Sequence, residues 1–167
     1  MNTKIFSVFP ACGKTYLYEH QDEYGLKILD SDSSEFSWTL QLMRDRKGNP
    51  MKGVERVRNP DFPNNYIKHI EENIGKYDCI FVSSHKEVRD ALDAAGIDFT
   101  IVYPEYRCLE EWVGRCYMRQ MKGKNGFSIE VLINNWDRWI TQCHACGFKH
   151  DEFVLRPGEY LSDVIVL

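Results

Sequence analysis

Three consecutive residues near the start of the chain, Gly13, Lys14 and Thr15, have the chemistry needed to bind a phosphate group. Glycine lets the backbone approach an anion closely, lysine supplies a mobile positive charge, and the threonine hydroxyl can hold Mg²⁺. Residues 4–8 are β-branched and aromatic, which is typical of a strand, and residues 16–20 can form a helix. A tight loop between a strand and a helix directs backbone N–H groups at an anion. The predicted phosphate-binding residues are Pro10, Ala11, Cys12, Gly13, Lys14 and Thr15.

The entrance of this loop departs from the usual phosphate-binding pattern. That pattern has a first glycine five residues before the second, and this chain has Val8 at the corresponding position. Pro10, which lacks a backbone N–H, could set the turn instead. The alternative interpretation is an ordinary turn between a strand and a helix. The strand before the loop and the helix after it favour phosphate binding.

Two aspartates, Asp30 and Asp32, follow a second predicted strand at residues 26–29. Side chains two residues apart in an extended chain point the same way, here into the crevice where α/β sheets bind ligands. One carboxylate could hold Mg²⁺ through water while the other orients a substrate hydroxyl or accepts its proton. The alternative is an Asp/Ser-rich turn that caps the next helix, and this segment alone leaves both open.

A Gly-Lys-Thr loop at residues 13–15 followed by Asp-x-Asp at residues 30–32 resembles the shikimate kinase and nucleoside monophosphate kinase group of small P-loop kinases. The chain is also similar in overall texture to kinase-like P-loop proteins that phages and prophages encode. The resemblance covers most of the chain in its order of elements. It implies a three-layer α/β/α domain with five parallel strands in the order 2-3-1-4-5. It further implies ATP and Mg²⁺ as cofactors and a small molecule as the phosphoryl acceptor.

The resemblance also implies roles for single residues. Lys14 and the backbone of residues 10–15 would bind the β- and γ-phosphates of ATP. Thr15 and one of the two aspartates, Asp30 or Asp32, would hold Mg²⁺. The other aspartate would orient the acceptor.

Two arginines, Arg115 and Arg119, lie one turn apart on a long helix predicted for residues 105–122, so both can reach the same anion. In the resembled kinases, lid arginines of this helix neutralise charge that develops on the transferred phosphoryl group. The lid-like segment would span about residues 107–127, with Lys122 and Lys124 adding positive charge. The alternative is an exposed basic face of a helix.

Acceptor binding would fall to about residues 36–66. Phe36, Leu40 and Met43 have helical spacing, so we predict a helix over residues 36–43, followed by a polar and basic loop. Four arginines of this region could bind a phosphate or carboxylate, or simply lie in solvent: Arg44, Arg46, Arg56 and Arg58.

Residues 77–82 are nearly all apolar, which is typical of a central parallel strand buried on both faces. In P-loop proteins an aspartate usually follows this strand. Here Ser83, Ser84 and His85 follow it, and Asp78 lies at its beginning. His85 could bind a phosphate or cap the next helix.

Length and composition restrict the class of protein. A chain of 167 residues with 43% hydrophobic and 28% charged residues suits one domain over residues 1–167. A net charge of −4 argues against a broad surface for duplex nucleic acid, so nucleic acid is not an expected partner. The sequence has no bilayer-spanning apolar run and no leader pattern, so we expect no membrane partner and a cytoplasmic location. The six cysteines are expected to be free thiols.

Cys143, Cys146 and His150 have a spacing that could suit a tetrahedral zinc ion. No second cysteine pair has comparable spacing, which disfavours a metal. Residues 127–146 also carry a wide apolar stripe at helical spacing, and such stripes are typical of core packing.

These observations favour an ATP-dependent phosphotransferase acting on a nucleoside monophosphate or a nucleoside. The two aspartates equally allow a hydroxyl acceptor such as a sugar or a shikimate-like acid. The departures from the P-loop pattern keep open a nucleotide-binding protein with little turnover. A third and weaker hypothesis is that the basic lid accepts the 5′-hydroxyl end of a nucleic acid. The sequence is silent on oligomeric state.

Overall fold

The computed structural model describes residues 2–123 and 128–165. Its strands are β1 (Lys4–Val8), β2 (Ile28–Asp30), β3 (Trp38–Arg44), β4 (Pro50–Arg58), β5 (Cys79–Ser83), β6 (Thr100–Pro104) and β7 (Glu152–Leu155). Its helices are α1 (Lys14–Glu19), α2 (Ser34–Ser37), α3 (Asn64–Asn73), α4 (Lys86–Ala94), α5 (Leu109–Met121), α6 (Ile129–Gly147) and α7 (Leu161–Val164). Lys124 and Phe127, the first residue of the predicted apolar stripe, lie outside the described residues.

Five of the strands form one parallel sheet in the order β2-β5-β1-β6-β7, and β3 and β4 form a separate antiparallel pair. The predicted five-stranded parallel sheet of an α/β fold is therefore confirmed. After β1 the chain crosses to β2 at one edge of the sheet. After β6, the neighbour of β1, it crosses to β7 at the opposite edge. Such a reversal opens a crevice at the carboxyl ends of the strands. The loop of residues 10–15 lies at this edge, directly after β1.

The central strands are buried because their side chains are apolar on both faces. Residues 79–82 of β5 have no exposed surface, as predicted for a central strand. Phe6 of β1 packs edge-on against Phe81, with ring centroids 6.1 Å apart. The whole buried set forms one contiguous hydrophobic cluster. The sheet thus provides a rigid base for the loops at its carboxyl edge.

Helices cover the sheet. α1 contacts α7, and α3 contacts α4. Crossovers between parallel strands are right-handed, so the β1-to-β2 connection lies on one face of the sheet. Connections that cross the sheet in the other direction, such as α4, lie on the opposite face. The apolar stripe predicted for α6 is buried at Leu132, Trp136, Ile140 and Cys143, which confirms its interpretation as core packing. No helix within residues 2–123 and 128–165 is long and apolar enough to cross a membrane.

The helix predicted for residues 36–43 is wrong. Helix α2 ends at Ser37, and residues 38–44 form strand β3 instead. Trp38, Leu40 and Leu42 alternate with Thr39 and Gln41, and this period of two is the pattern of a strand. The predicted polar loop after it contains β4 and a turn at residues 45–49, where Asp45 accepts hydrogen bonds from two backbone N–H groups. We call residues 38–58 the ribbon.

Candidate functional site

The loop of residues 10–15 is held by its carbonyl groups. Trp112 Nε1 donates a hydrogen bond of 2.8 Å to the Pro10 carbonyl, and Arg115 Nη1 donates one of 3.3 Å to the Ala11 carbonyl. The Leu161 N–H donates to the Cys12 carbonyl at 2.8 Å. The Gly13 carbonyl accepts the first hydrogen bond of helix α1. The carbonyl oxygens of residues 10–13 therefore all have donors, three of them from the carboxyl-terminal half of the chain.

The backbone N–H groups of the same loop, unlike its carbonyl groups, lack partners among the described residues. Those of residues 11–16 donate no hydrogen bond to any residue in the described ranges, 2–123 and 128–165. Unpaired backbone N–H groups are rare in folded proteins and are satisfied by water or by a ligand. A run of consecutive donors with neighbouring carbonyls already occupied forms a concave anion site. Helix α1 has only six residues, so we base this interpretation on the loop donors and not on the helix dipole.

Backbone conformation explains why two small residues occupy this loop. Gly13 has φ +99°, and a Cβ at this position would lie 3.2 Å from Tyr160 Cδ1. Ala11 has φ +62°, a left-handed conformation that is uncommon for a residue other than glycine. The chain reaches its turn through Pro10 and a left-handed Ala11, although Val8 replaces the first glycine of the usual pattern.

A cavity of about 1050 Å³, the main cavity, lies in front of the loop and is lined by Lys14, Thr15, Asp30 and Asp32. Lys14 Nζ lies 3.6 Å from Asp30 Oδ1, and each side chain is 23% exposed. The structure thus brings together four predicted site residues from two different strand ends. A carboxylate, a hydroxyl and an ammonium group around one cavity can bind a phosphate with its metal ion.

Asp32 also has a structural partner. Its Oδ1 accepts a hydrogen bond of 2.8 Å from the Ser34 N–H at the start of α2. The alternative prediction, that the aspartates cap the next helix, therefore applies to one carboxylate oxygen of Asp32. Between the aspartates, the Ser31 carbonyl accepts a hydrogen bond from the buried Tyr66 hydroxyl, which fixes the segment against α3. The pair is held in place from two sides.

The two arginines predicted to act as lid residues differ in their surroundings. Arg115 is 8% exposed, forms an ion pair with Glu111, and donates to the carbonyls of Ala11 and Glu159. Its guanidinium also stacks on Tyr160, 3.8 Å from the ring centroid. Arg119 lines the main cavity and also a second cavity. The Arg115 side chain therefore holds the loop in place, whereas Arg119 lines the two cavities beside the loop.

The second cavity has a volume of about 490 Å³ and is also lined by residues of the loop. It shares Ala11, Thr15 and Arg119 with the main cavity. Tyr16 and Met118 also line it, so its wall is partly apolar and aromatic. Two cavities thus meet at one loop, which is an arrangement suited to two ligands.

The end of strand β5 supplies the far wall of the main cavity through Ser83, Ser84 and His85. His85 occupies the N-cap position of α4, but its side chain makes no capping hydrogen bond. Burial lowers the pKa of His85 below its usual value of 6.5, and the nearby Arg58 guanidinium lowers it further. His85 is therefore biased toward the neutral imidazole. Asp78 lies at the other end of β5, where it accepts a hydrogen bond from the Lys27 N–H.

Sequence reasoning missed four charged residues of the main cavity, and one of them, Arg89 on α4, is buried; the others are Lys86, Glu87 and Arg138. The Arg89 side chain is only 4% exposed, and its Nε has no hydrogen-bond partner. Its Nη1 donates to the Gln142 carbonyl at 3.1 Å, and it has no acidic partner within the described part of the chain. A buried guanidinium without a counter-ion is costly, so an anionic ligand group would stabilise it. The signal in the sequence was weak: Arg89 is three residues before Leu92 on the apolar face of the helix.

Of the four arginines predicted in the acceptor segment, only Arg58 lines the main cavity. Arg56 and Arg58 both lie against the Trp38 ring, at 5.2 and 5.7 Å from its centroid. Arg44 donates to the Gly48 carbonyl in the ribbon turn, and Arg46 belongs to the same turn. The structure therefore does not gather these four residues at one point.

The cysteine and histidine spacing near the end of α6 does not form a metal centre. Within the described residues, no group of three His, Cys, Asp or Glu side chains could hold a metal ion. His150 lies 2.7 Å from Asp93 and stacks on Phe99. All six cysteines are free, and burial raises the pKa of Cys143 to about 11.

Comparisons with known proteins do not identify a relative: a scan against protein-family models gives no match, and a search of curated proteins finds no significantly similar sequence.

Proposed function

We propose that this protein is a P-loop phosphotransferase that moves the γ-phosphoryl group of ATP to a small acceptor, with a nucleoside monophosphate or nucleoside favoured. One observation carries the proposal: the consecutive N–H groups of residues 11–16 have no partner among the described residues, while the carbonyl groups of residues 10–13 are held by other donors. Such a loop is electropositive on one side, and the Lys14 ammonium adds a mobile charge beside it.

The two cavities support transfer over simple binding. Phosphoryl transfer needs a donor and an acceptor in line at one phosphate, and positioning with charge neutralisation supplies most of the catalysis. The partly apolar second cavity, with Tyr16 and Met118, suits the nucleoside of ATP. The main cavity, with Asp30 and Asp32, would then hold the acceptor.

The residues around the loop fit magnesium. Mg²⁺ is usually bound through one or two carboxylates together with substrate phosphates, so a complete protein cage is not needed. Thr15, Asp30 and Asp32 supply hard oxygen atoms to the same cavity. When bound, the ion would neutralise negative charge on the phosphates. Thr15 and Asp30 would hold it, and the free oxygen of Asp32 would orient the acceptor hydroxyl or phosphate.

The cationic residues divide into two roles. Lys14 would bind the β- and γ-phosphates, and Arg119 would neutralise the charge that develops during transfer. Arg115 acts as a positioning residue, because its guanidinium is already bound to two carbonyls and to Glu111. Arg89 would stabilise an anionic group of the acceptor in the main cavity.

The test measures ATP binding by calorimetry and acceptor-dependent ADP release across nucleoside monophosphates, nucleosides and small hydroxy acids. Lys14→Ala should weaken ATP binding at least 30-fold, as expected for a charge-assisted contact of about 2 kcal/mol. Asp32→Asn should keep ATP binding and lose turnover, because asparagine still caps α2. Lys76→Ala, an exposed lysine away from the loop, is the matched control.

Two results would count against the proposal. Unchanged ATP binding in Lys14→Ala would remove the loop as the donor site. Intact ATP binding with no ADP release for any acceptor would favour a nucleotide-binding protein instead. That second function has one specific observation in its favour: Ser83 and Ser84 stand where an aspartate usually ends the third strand of the parallel sheet.

A further inference from the structure

The ribbon differs in charge from the rest of the protein. Residues 38–58 contain six basic and two acidic residues, although the whole chain has a net charge of −4. The positive charge is therefore concentrated on one two-stranded element while the remainder of the chain is strongly acidic. A local basic patch on an acidic protein attracts polyanions to that patch and repels them elsewhere.

One face of the ribbon is also apolar and exposed. The antiparallel register places Trp38 opposite Arg58, Leu40 opposite Arg56, and Leu42 opposite Val54. Leu40 is 69% exposed and Leu42 59% exposed. We call these six residues the ribbon face. A contiguous patch of exposed apolar residues usually marks a surface that another molecule covers.

The ribbon face combines guanidinium groups with an aromatic ring. Arg56 and Arg58 lie within 6 Å of the Trp38 ring centroid, and Arg58 also lies 4.5 Å from the centre of Phe62. An ion pair between Arg58 and Glu87 of α4 attaches the base of the ribbon to the domain. Aromatic rings on which bases stack, flanked by arginines that meet phosphates, are the elements of single-strand binding.

The ribbon face is continuous with the main cavity. Trp38 and Arg58 at its base line that cavity, which also contains Asp30 and Asp32. A linear polyanion lying along the ribbon face would therefore have one end at the candidate site. Each nucleotide of a single strand offers both a phosphate for the arginines and a planar base for Trp38, whereas a flat lipid surface would not follow a narrow ribbon into a cavity.

We propose that the ribbon face is a docking surface for a single-stranded polynucleotide. Its phosphates contact Arg56, Arg58 and the exposed Lys52, which alternates with Val54 and Arg56 along β4, and its bases stack on Trp38 and lie against the exposed leucines. The net charge of the chain excludes a broad surface for duplex nucleic acid but does not exclude this local one. The inference goes beyond the proposed function and does not depend on ATP binding.

The test measures fluorescence anisotropy of labelled 12-nucleotide dT and rU strands, of a 12-base-pair duplex and of polyglutamate. With about three phosphate contacts, affinity for the single strands should fall roughly 20-fold between 50 and 200 mM salt. The double variant Lys52→Glu/Arg56→Glu should lose at least tenfold. Lys76→Glu/Lys149→Glu carries the same charge change at exposed lysines outside the ribbon and should lose less than twofold.

Two further variants separate the parts of the inference. Trp38→Ala should weaken single-strand binding about fivefold or more, because base stacking on an aromatic ring contributes that much per base. Lys14→Ala should change single-strand binding less than threefold, because Lys14 lies outside the ribbon, while it weakens ATP binding at least 30-fold, so the two proposals can fail separately. Circular dichroism and thermal melting confirm that each variant is folded.

Three results would overturn the inference. Equal losses in the ribbon and control double variants would mean that binding follows total charge. Tighter binding of the duplex or of polyglutamate than of the single strands would assign the ribbon face to another partner. The absence of binding to either single strand at 50 mM salt would reject it directly.

Discussion

The loop of residues 10–15 and the ribbon are both irregular for an α/β domain, but they are held in opposite ways. Four carbonyl groups of the loop are bound, and the donors come from α1, α5 and α7. Among the described residues, the ribbon strands form β-pairs with each other alone, and an ion pair from Arg58 to Glu87 links them to α4. The loop is therefore held by three other elements, whereas the ribbon is not part of the main sheet.

The largest effect is expected from Arg115→Ala. The substitution leaves the carbonyls of Ala11 and Glu159 without this donor and removes the buried partner of Glu111. Loss of the three hydrogen bonds that this largely buried guanidinium donates should destabilise the protein by about 3 kcal/mol, because each such bond contributes about 1 kcal/mol. Urea denaturation measures the loss, and ATP binding should weaken with it because the loop is no longer held.

The matched control is Arg107→Ala, since Arg107 also pairs with a glutamate but its side chain is 71% exposed. Exposed ion pairs contribute between zero and about 1 kcal/mol. Equal losses in Arg107→Ala and Arg115→Ala would show that Arg115 does not hold the loop.

Gly13→Ala should have the next largest effect. A Cβ at φ +99° is strained, and it would also press on Tyr160 at 3.2 Å. We expect a loss of about 2 kcal/mol in the free energy of unfolding. Gly25→Ala is the control, since Gly25 has φ +63° with open space around it, and it should lose about 1 kcal/mol. A loss in Gly13→Ala no larger than in Gly25→Ala would argue against close packing of the loop on Tyr160.

The sequence and the structure agree most closely where interactions are local in the chain. Strand β1, the loop after it and helix α1 follow from a continuous run of residues, so their order was predictable. The donors that hold the loop were not. Trp112 and Leu161 lie about a hundred or more residues away, and no local pattern indicates that Arg115 binds a carbonyl and not a substrate.

The ribbon was predicted wrongly because its apolar residues fit both a helical period and a strand period. Phe36, Leu40 and Met43 fit a helical period, while Trp38, Leu40 and Leu42 fit a strand period. Tertiary context usually settles such a conflict, but the ribbon has few contacts outside itself. The turn at residues 45–49, with Gly48 at φ +84°, favours a hairpin and was the stronger signal.

A smaller effect is expected at His85, which lies between the two regions. Burial is the largest cause of the lowered pKa of His85. The positive charges of Arg58 in the ribbon and Lys14 in the loop lower the pKa further, and the negative charge of Glu87 raises it. Below pH 6.5 the unfolded chain therefore binds a proton more readily than the folded protein does. Stability should be complete above pH 6.5 and should fall as the pH decreases through the lowered pKa.

His85→Asn should flatten this part of the stability curve, measured by urea denaturation between pH 5 and 8. Arg58→Ala should raise the pKa of His85, observed by NMR titration of its ring proton, because it removes a nearby positive charge. An unchanged pKa in Arg58→Ala would mean that the ribbon base does not lie beside His85 in solution.

The smallest effect is expected from Leu40→Ser and Leu42→Ser in the ribbon. Both side chains are more than half exposed, so each substitution should change the free energy of unfolding by less than about 0.5 kcal/mol. Leu132→Ser in the buried stripe of α6 replaces the same side chain where it has no exposed surface, and it should lose at least about 3 kcal/mol. A loss above 1 kcal/mol in either ribbon variant would show that a part of the protein covers the ribbon face in solution. The loop and the ribbon would then be supported alike, and the ribbon face would not be free to bind a partner.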